Sequence, residues 1–124
     1  MTNLQDICVS LGLAKKLKEA GYPQESLFYW MNTDLGEWIL LEKKNCDPSF
    51  NIIAAPTASE LGKELPGYDY YYCYSFKSSN TIINEYSCIY EFAQTRDIKY
   101  QTLDESEANA RAKMWLYLKK EGQL

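Results

Sequence analysis

The stretch Tyr68-Asp69-Tyr70-Tyr71-Tyr72-Cys73-Tyr74-Ser75-Phe76-Lys77, followed after Ser78-Ser79-Asn80 by Thr81-Ile82-Ile83-Asn84-Glu85-Tyr86-Ser87-Cys88-Ile89-Tyr90-Glu91-Phe92, decides how this chain folds. Both halves are rich in aromatic and β-branched residues, which suit a pleated backbone. Asn80 tolerates the positive φ that a short connection needs. The expectation is an antiparallel hairpin. A Ser78-to-Asn80 loop pairs Lys77 with Thr81, Phe76 with Ile82, Tyr74 with Asn84, Tyr72 with Tyr86, Tyr70 with Cys88 and Tyr68 with Tyr90. The even-numbered residues then share one aromatic face, expected to be core. The odd-numbered face carries Asp69, Cys73, Ser75, Lys77, Glu85, Ser87 and Glu91, with Tyr71, Ile83 and Ile89 among them, and is expected to meet solvent. This register sets Cys73 opposite Glu85 and Cys88 opposite Tyr70, which disfavours a disulfide between them.

Upstream, Ser10 is placed to cap a helix from about Leu11 to Ala20, with Leu13, Ala14, Leu17 and Ala20 as its apolar stripe and Gly21 as its stop. Ser26 to Met31 reads as a strand, Asn32 to Gly36 as a hairpin connection and Glu37 to Glu42 as the returning strand. After a loop over Lys43 to Ser49, Phe50 to Ala55 is extended. Thr57-Ala58-Ser59-Glu60 has the spacing of a capping box opening a short helix. Downstream, Ile98 to Gln101 adds a short strand. The last helix is expected to begin near Thr102 or Asp104, with Ala108, Ala112, Met114, Trp115 and Leu118 buried. The sum is one α+β domain over residues 1–124: a single-layer antiparallel sheet of about four or five strands, two longer helices packed on one face, and a short helix in a connection.

Composition narrows the chemistry. The 124 residues are 46% hydrophobic and 24% charged, enough for one core and no second. Thirteen basic against seventeen acidic side chains leave a net charge of −4, which disfavours nucleic acid and anionic lipid. Eleven Tyr, four Phe and three Trp stand beside no His. Imidazole bases, Cys-His nucleophiles and His-containing zinc sites are therefore excluded within this chain. Cys8, Cys46, Cys73 and Cys88 form no Cys-x-x-Cys pair and read as free thiols of a reducing compartment. Met1 to Asp6 lacks a basic start followed by an apolar run, so a cytoplasmic location is expected.

The candidate binding residues are Tyr70, Tyr71, Tyr72, Tyr74, Lys77 and Tyr86, whose rings offer stacking surfaces beside one cation. The competing reading makes the same rings core under the helices. Acidic groups near Glu60, Asp104, Glu105 and Glu107 are explained by helix starts. Glu85 and Glu91 lie about 20 Å apart along a strand and do not share an ion. Lys15, Lys16 and Lys18 make a solvated helix face. No catalytic residue, metal ligand or cofactor-binding residue is assigned, and no cofactor is expected.

Three stretches carry a resemblance: Ser10 through Gly21-Tyr22-Pro23-Gln24-Glu25-Ser26-Leu27-Phe28-Tyr29-Trp30, Ile53 through Thr57-Ala58-Ser59-Glu60 to Pro66, and the closing helix from Ser106-Glu107-Ala108 to Gly122. In these the chain resembles a family of small uncharacterised proteins from phages and prophages of intestinal bacteria, and more loosely the phage domains described as an ABA sandwich. The Tyr70 to Tyr72 run departs from it. The resemblance implies a phage-derived accessory protein of the host cytoplasm and supplies no functional residues. The leading expectation is a non-enzymatic interaction protein that blocks a host protein, such as a defence factor. The alternative is a small-molecule or nucleotide-sequestering protein that stacks its ligand on Tyr. A homodimer through Tyr71, Ile83 and Ile89 is compatible with either. No membrane partner is expected.

Overall fold

The computed structural model describes residues 4–66, 71–77, 85–92 and 94–122, with the backbone alone for 71, 72 and 92. A single turn, α1 (Leu4–Ile7), leads to Cys8, which bridges antiparallel to Thr57. The next helix, α2 (Leu11–Glu19), starts where Ser10 Oγ accepts from the Leu13 amide. Gly21 ends it at φ 92°, and the Tyr22 amide reaches back to the Leu17 carbonyl at 2.9 Å. Strands β1 (Phe28–Asn32), β2 (Trp38–Glu42) and β3 (Ile52–Ala54) form an antiparallel sheet in the order β2-β1-β3. The short α3 (Ala58–Glu64) opens with the expected capping box, Thr57 and Glu60 each satisfying the other's amide.

A second antiparallel sheet follows, β4 (Tyr71–Lys77), β5 (Tyr86–Phe92) and β6 (Ile98–Asp104), in the order β4-β5-β6. The closing helix is α4 (Glu107–Lys120). Two three-stranded sheets thus replace the single layer of four or five strands. The physical reason is that β1 is already paired on both sides, by β2 and β3, while α4 stands between the two sets. Ala108, Ala112 and Trp115 pack into the first core with Val9, Leu17, Trp30 and Leu61. Ala110, Met114 and Leu118 pack into the second with Cys88 and Tyr90. Two faces of α4 are therefore apolar contact, while Lys113, Tyr117 and Lys120 stay exposed.

The hairpin register also differs. Lys77 lies opposite Tyr86, not Thr81, and Ser75, not Tyr70, lies opposite Cys88. Tyr72 faces Glu91 instead of Tyr86. The shift is odd, so β4 is turned over relative to β5. Cys73, Ser75 and Lys77 now share the α4 side with Tyr86, Cys88 and Tyr90, whereas Tyr74 and Phe76 take the opposite side and are exposed. Small side chains at 73 and 75 suit the helix side because the Arg111 side chain of α4 lies over Ser75. Tyr68, Tyr70 and the expected Ser78-to-Asn84 connection, Ile83 included, lie outside the described residues.

The start of the last helix is corrected too. Thr102 and Asp104 belong to β6, and Ser106 is the cap, its Oγ accepting from the Asn109 amide. Thr102 is held in the sheet opposite Cys88, and its hydroxyl donates to the Ala110 carbonyl at 2.6 Å. Among the described residues no helix is long and apolar enough to cross a membrane.

Candidate functional site

The β6–α4 junction and the first turn of α3 face each other across an open cleft of about 950 Å³, with Asp6 and Leu27 on its walls. Lys77 and Tyr86, the ends of β4 and β5, close one side, and the Lys77 ammonium lies 5.9 Å from the Tyr86 ring centre. Asp104 sits at the rim. Burial pushes its carboxyl up, but hydrogen bonds from Lys113, the Ser106 amide and Asn109 outweigh that and hold it below the usual value. Amides of both helix starts are already taken: Asn109 by Ser106, Thr57 by Glu60 and Glu60 by Thr57. With Asp6, Asp104, Glu105 and Glu107 on the walls against Lys77, the cleft is poorly suited to phosphate.

The deeper wall is fixed by Arg111. Its Nη1 donates to the Ala58 carbonyl at 2.5 Å, and its Nε and Nη2 donate to Ser75 Oγ at 3.1 and 2.9 Å. The same Nη2 pairs with Glu107 at 3.0 Å, and Ser75 Oγ donates to that carboxylate at 2.9 Å. Three elements, α3, β4 and α4, are thereby tied at one point. Arg111 is a staple, not a waiting anion receptor.

The opposite side of the second sheet is different. Phe76, Ser87 and Leu103 lie in one row across the strands, and Tyr74, Ile89 and Gln101 in the next. Phe76 and Leu103 are 45% and 46% exposed, while Ile89 is buried in the middle of the face. The Tyr74 and Phe76 rings stack at 5.9 Å and 25°. Tyr74 donates to Glu91 Oε2 at 2.6 Å, which raises its own hydroxyl pKa. Arg96 pairs with the buried Glu91 and neutralises it. A strip of apolar surface with its carboxylate already partnered is left open.

These positions divide the candidate residues. Lys77 and Tyr86 come together in the cleft, whereas Tyr74 lies on the other side of the same sheet. Tyr71 and Tyr72 are in β4 by backbone, their side chains being outside the described residues, as is Tyr70 altogether. Sequence reasoning missed Phe76 and Leu103 as exposed groups, because the expected register buried the first and the second lay where the last helix was expected to begin. It also missed Arg111. The one signal for it is a cation flanked by Ala110 and Ala112, where small neighbours leave room for a long side chain. Lys15 of the basic cluster lies 5.2 Å over the Trp38 ring. Among the described residues no group of three or more His, Cys, Asp or Glu is arranged to hold a metal ion.

All four cysteines are free: Cys8 and Cys88 buried, Cys46 partly so and Cys73 exposed. Burial, aided by the charge of Glu60, pushes the Cys8 thiol up to about 12, so it stays protonated at neutral pH. Comparison with protein-family models, curated proteins and solved structures finds no match to this chain.

Proposed function

We propose that the protein is a non-enzymatic binding module that docks a partner protein on the open face of the second sheet. The observation that supports this reading is the exposure of Phe76 and Leu103, either side of the buried Ser87, with the stacked Tyr74, on the side of the sheet away from α4. Aromatic and apolar groups of this kind form the centres of protein interfaces, where their burial supplies most of the affinity. The chain's charge of −4 favours a partner whose own apolar patch is bordered by basic groups. The likeness of the sequence to small phage and prophage proteins directs the search to host cytoplasmic proteins, defence factors among them.

The test is capture of a host protein at one-to-one stoichiometry, followed by measured affinity for wild type, Phe76→Ser and Leu103→Ser. Each substitution at this exposed face should weaken binding at least tenfold while the melting temperature stays within a few degrees. Equal affinity in all three proteins would sink the reading. A second reading, sequestration of a small molecule stacked on Tyr, is favoured by Lys77 over Tyr86 in the cleft, whose acidic walls suit a base or nucleoside better than a phosphate. A thermal shift with a nucleoside, lost in Tyr86→Ala and retained in Phe76→Ser, would select it instead.

A further inference from the structure

On the α4 side of the second sheet, Cys73 pairs with Tyr90 and Cys88 with Ser75, so the two cysteines are diagonal neighbours on adjacent strands. Cys73 is exposed on β4, an edge strand among the described residues, and Cys88 is buried on the central strand. Arg111 is anchored on Ser75, which lies directly opposite Cys88 and two residues along the same strand face from Cys73. The guanidinium cannot swing away, because Ala58, Ser75 and Glu107 hold it from three elements. An accessible sulfur, a buried thiol donor and a fixed cation make the surroundings in which a thiolate is stabilised.

We propose that Cys73 is a modification site, an activated thiol that forms mixed disulfides with low-molecular-weight disulfides. The Cys73 thiolate attacks one sulfur of R–S–S–R. The S–S bond of the reagent breaks, Cys73–S–S–R forms, and R–S⁻ leaves and takes a proton from water. The reagent is the oxidant and no other is required. Excess R–SH reverses the step. Cys88 is a donor to Cys73, not its resolving partner: diagonal neighbours in an antiparallel pair have Cα atoms about 7–8 Å apart, beyond the reach of an unstrained disulfide.

The charged and titratable groups around Cys73 agree with this. The Cys88 hydrogen bond lowers Cys73 most, burial opposes it, and Tyr90 and Arg111 add to the lowering, which brings the thiol to about 7. Cys88 moves the other way, first through the same hydrogen bond and then through burial, so it keeps its proton as donor. Glu107 also acts on Cys88, but its carboxylate is engaged by Arg111 and Ser75. At pH 7 a thiol with a pKa of about 7 has about fifty times the thiolate of one at 9, and its lower basicity gives back about eightfold, a net advantage of about sixfold.

Peptide-resolved mass spectrometry of the native protein treated with oxidised glutathione, and with iodoacetamide from pH 5 to 10, tests this. Cys73 should carry one glutathione adduct and react about sixfold faster than a Cys-containing model peptide at pH 7. The order should invert above about pH 8, where enough of the peptide is ionised for its more nucleophilic thiolate to win. Cys88→Ala should raise the pH midpoint of Cys73 toward 9, and Cys88→Ser, which keeps a donor, should bring it back down. A Cys73 midpoint near 9 in the wild type, no change in Cys88→Ala, or a Cys73–Cys88 disulfide as the main product would each overturn the proposal.

Discussion

Replacing Gly62 by Ala sets helix propensity against the Arg111 staple, and the structure decides which wins. Ala is favoured over Gly inside a helix by about 0.8–1 kcal/mol. A Cβ at position 62, however, falls 2.6 Å from Arg111 Nη1 and 3.5 Å from Cζ. The end of an arginine would ordinarily move aside at little cost. Here Nη1 holds the Ala58 carbonyl at 2.5 Å, and the other guanidinium nitrogens are held by Ser75 and Glu107. Giving up the Ala58 bond, which involves a charged donor, costs about 1.5–3 kcal/mol. Gly62→Ala should therefore destabilise the protein by about 1 kcal/mol, the loss of that bond less the gain in propensity. In an Arg111→Ala background the obstacle is gone, and the same substitution should stabilise by about 1 kcal/mol. Urea titrations of the four proteins by far-UV circular dichroism, with a common slope, give the cycle directly. Equal stabilisation in both backgrounds would refute the reasoning, because it would mean that the guanidinium yields without loss.

The raised Cys8 and Tyr22 make stability fall in alkali. Both are raised first by burial, so the folded state holds their protons more tightly than the unfolded chain does, and the stability present below about pH 9 is lost as the pH climbs toward 12. Cys73, lowered, works in the opposite sense between about 7 and 9, so urea midpoints should rise modestly to pH 9 and then drop, the drop being less steep in Cys8→Val. Ser106→Ala should cost about 1 kcal/mol by removing the α4 cap, whereas Thr102→Val, in a strand that welcomes Val, should cost less than about 0.5 kcal/mol net. Thermal unfolding that ranked these two the other way would return the helix start to Thr102.

Features set by neighbours in sequence were legible, and features set by partners far along the chain were not. Ser10, Gly21 and the Thr57–Glu60 box act through backbone groups a few residues away, so their spacing alone locates three helix boundaries. The β4–β5 pairing was visible from composition, but its register was not. Ile89 on one face of β5 and Tyr90 on the other are both buried, so parity did not say which face meets the helix. The choice is made by α4, whose Arg111 needs Ser75 beneath it, and nothing local to β4 reports that need. The split into two sheets follows from the same helix. Burial of Ala108, Ala112, Met114, Trp115 and Leu118 was foreseen as one stripe, yet these residues divide between two cores, and Met114 and Leu118 with Ala110 give the other sheet a core of its own. For the candidate site, Lys77 and Tyr86 were both named but set opposite Thr81 and Tyr72; the odd register shift sets them opposite one another, places Tyr74 behind them and brings Cys73 to Cys88.

Because α4 closes both cores, neither sheet can complete its burial while residues 107–120 are still unmade. At a synthesis rate of about 5–20 residues per second, both half-built layers wait on the ribosome for the same fourteen-residue segment. They must then consolidate in one step. Slowly exchanging amides in β1 and β5 should accordingly open with a single free energy, and a protease cut within α4 should release both sheets at once rather than leave one standing.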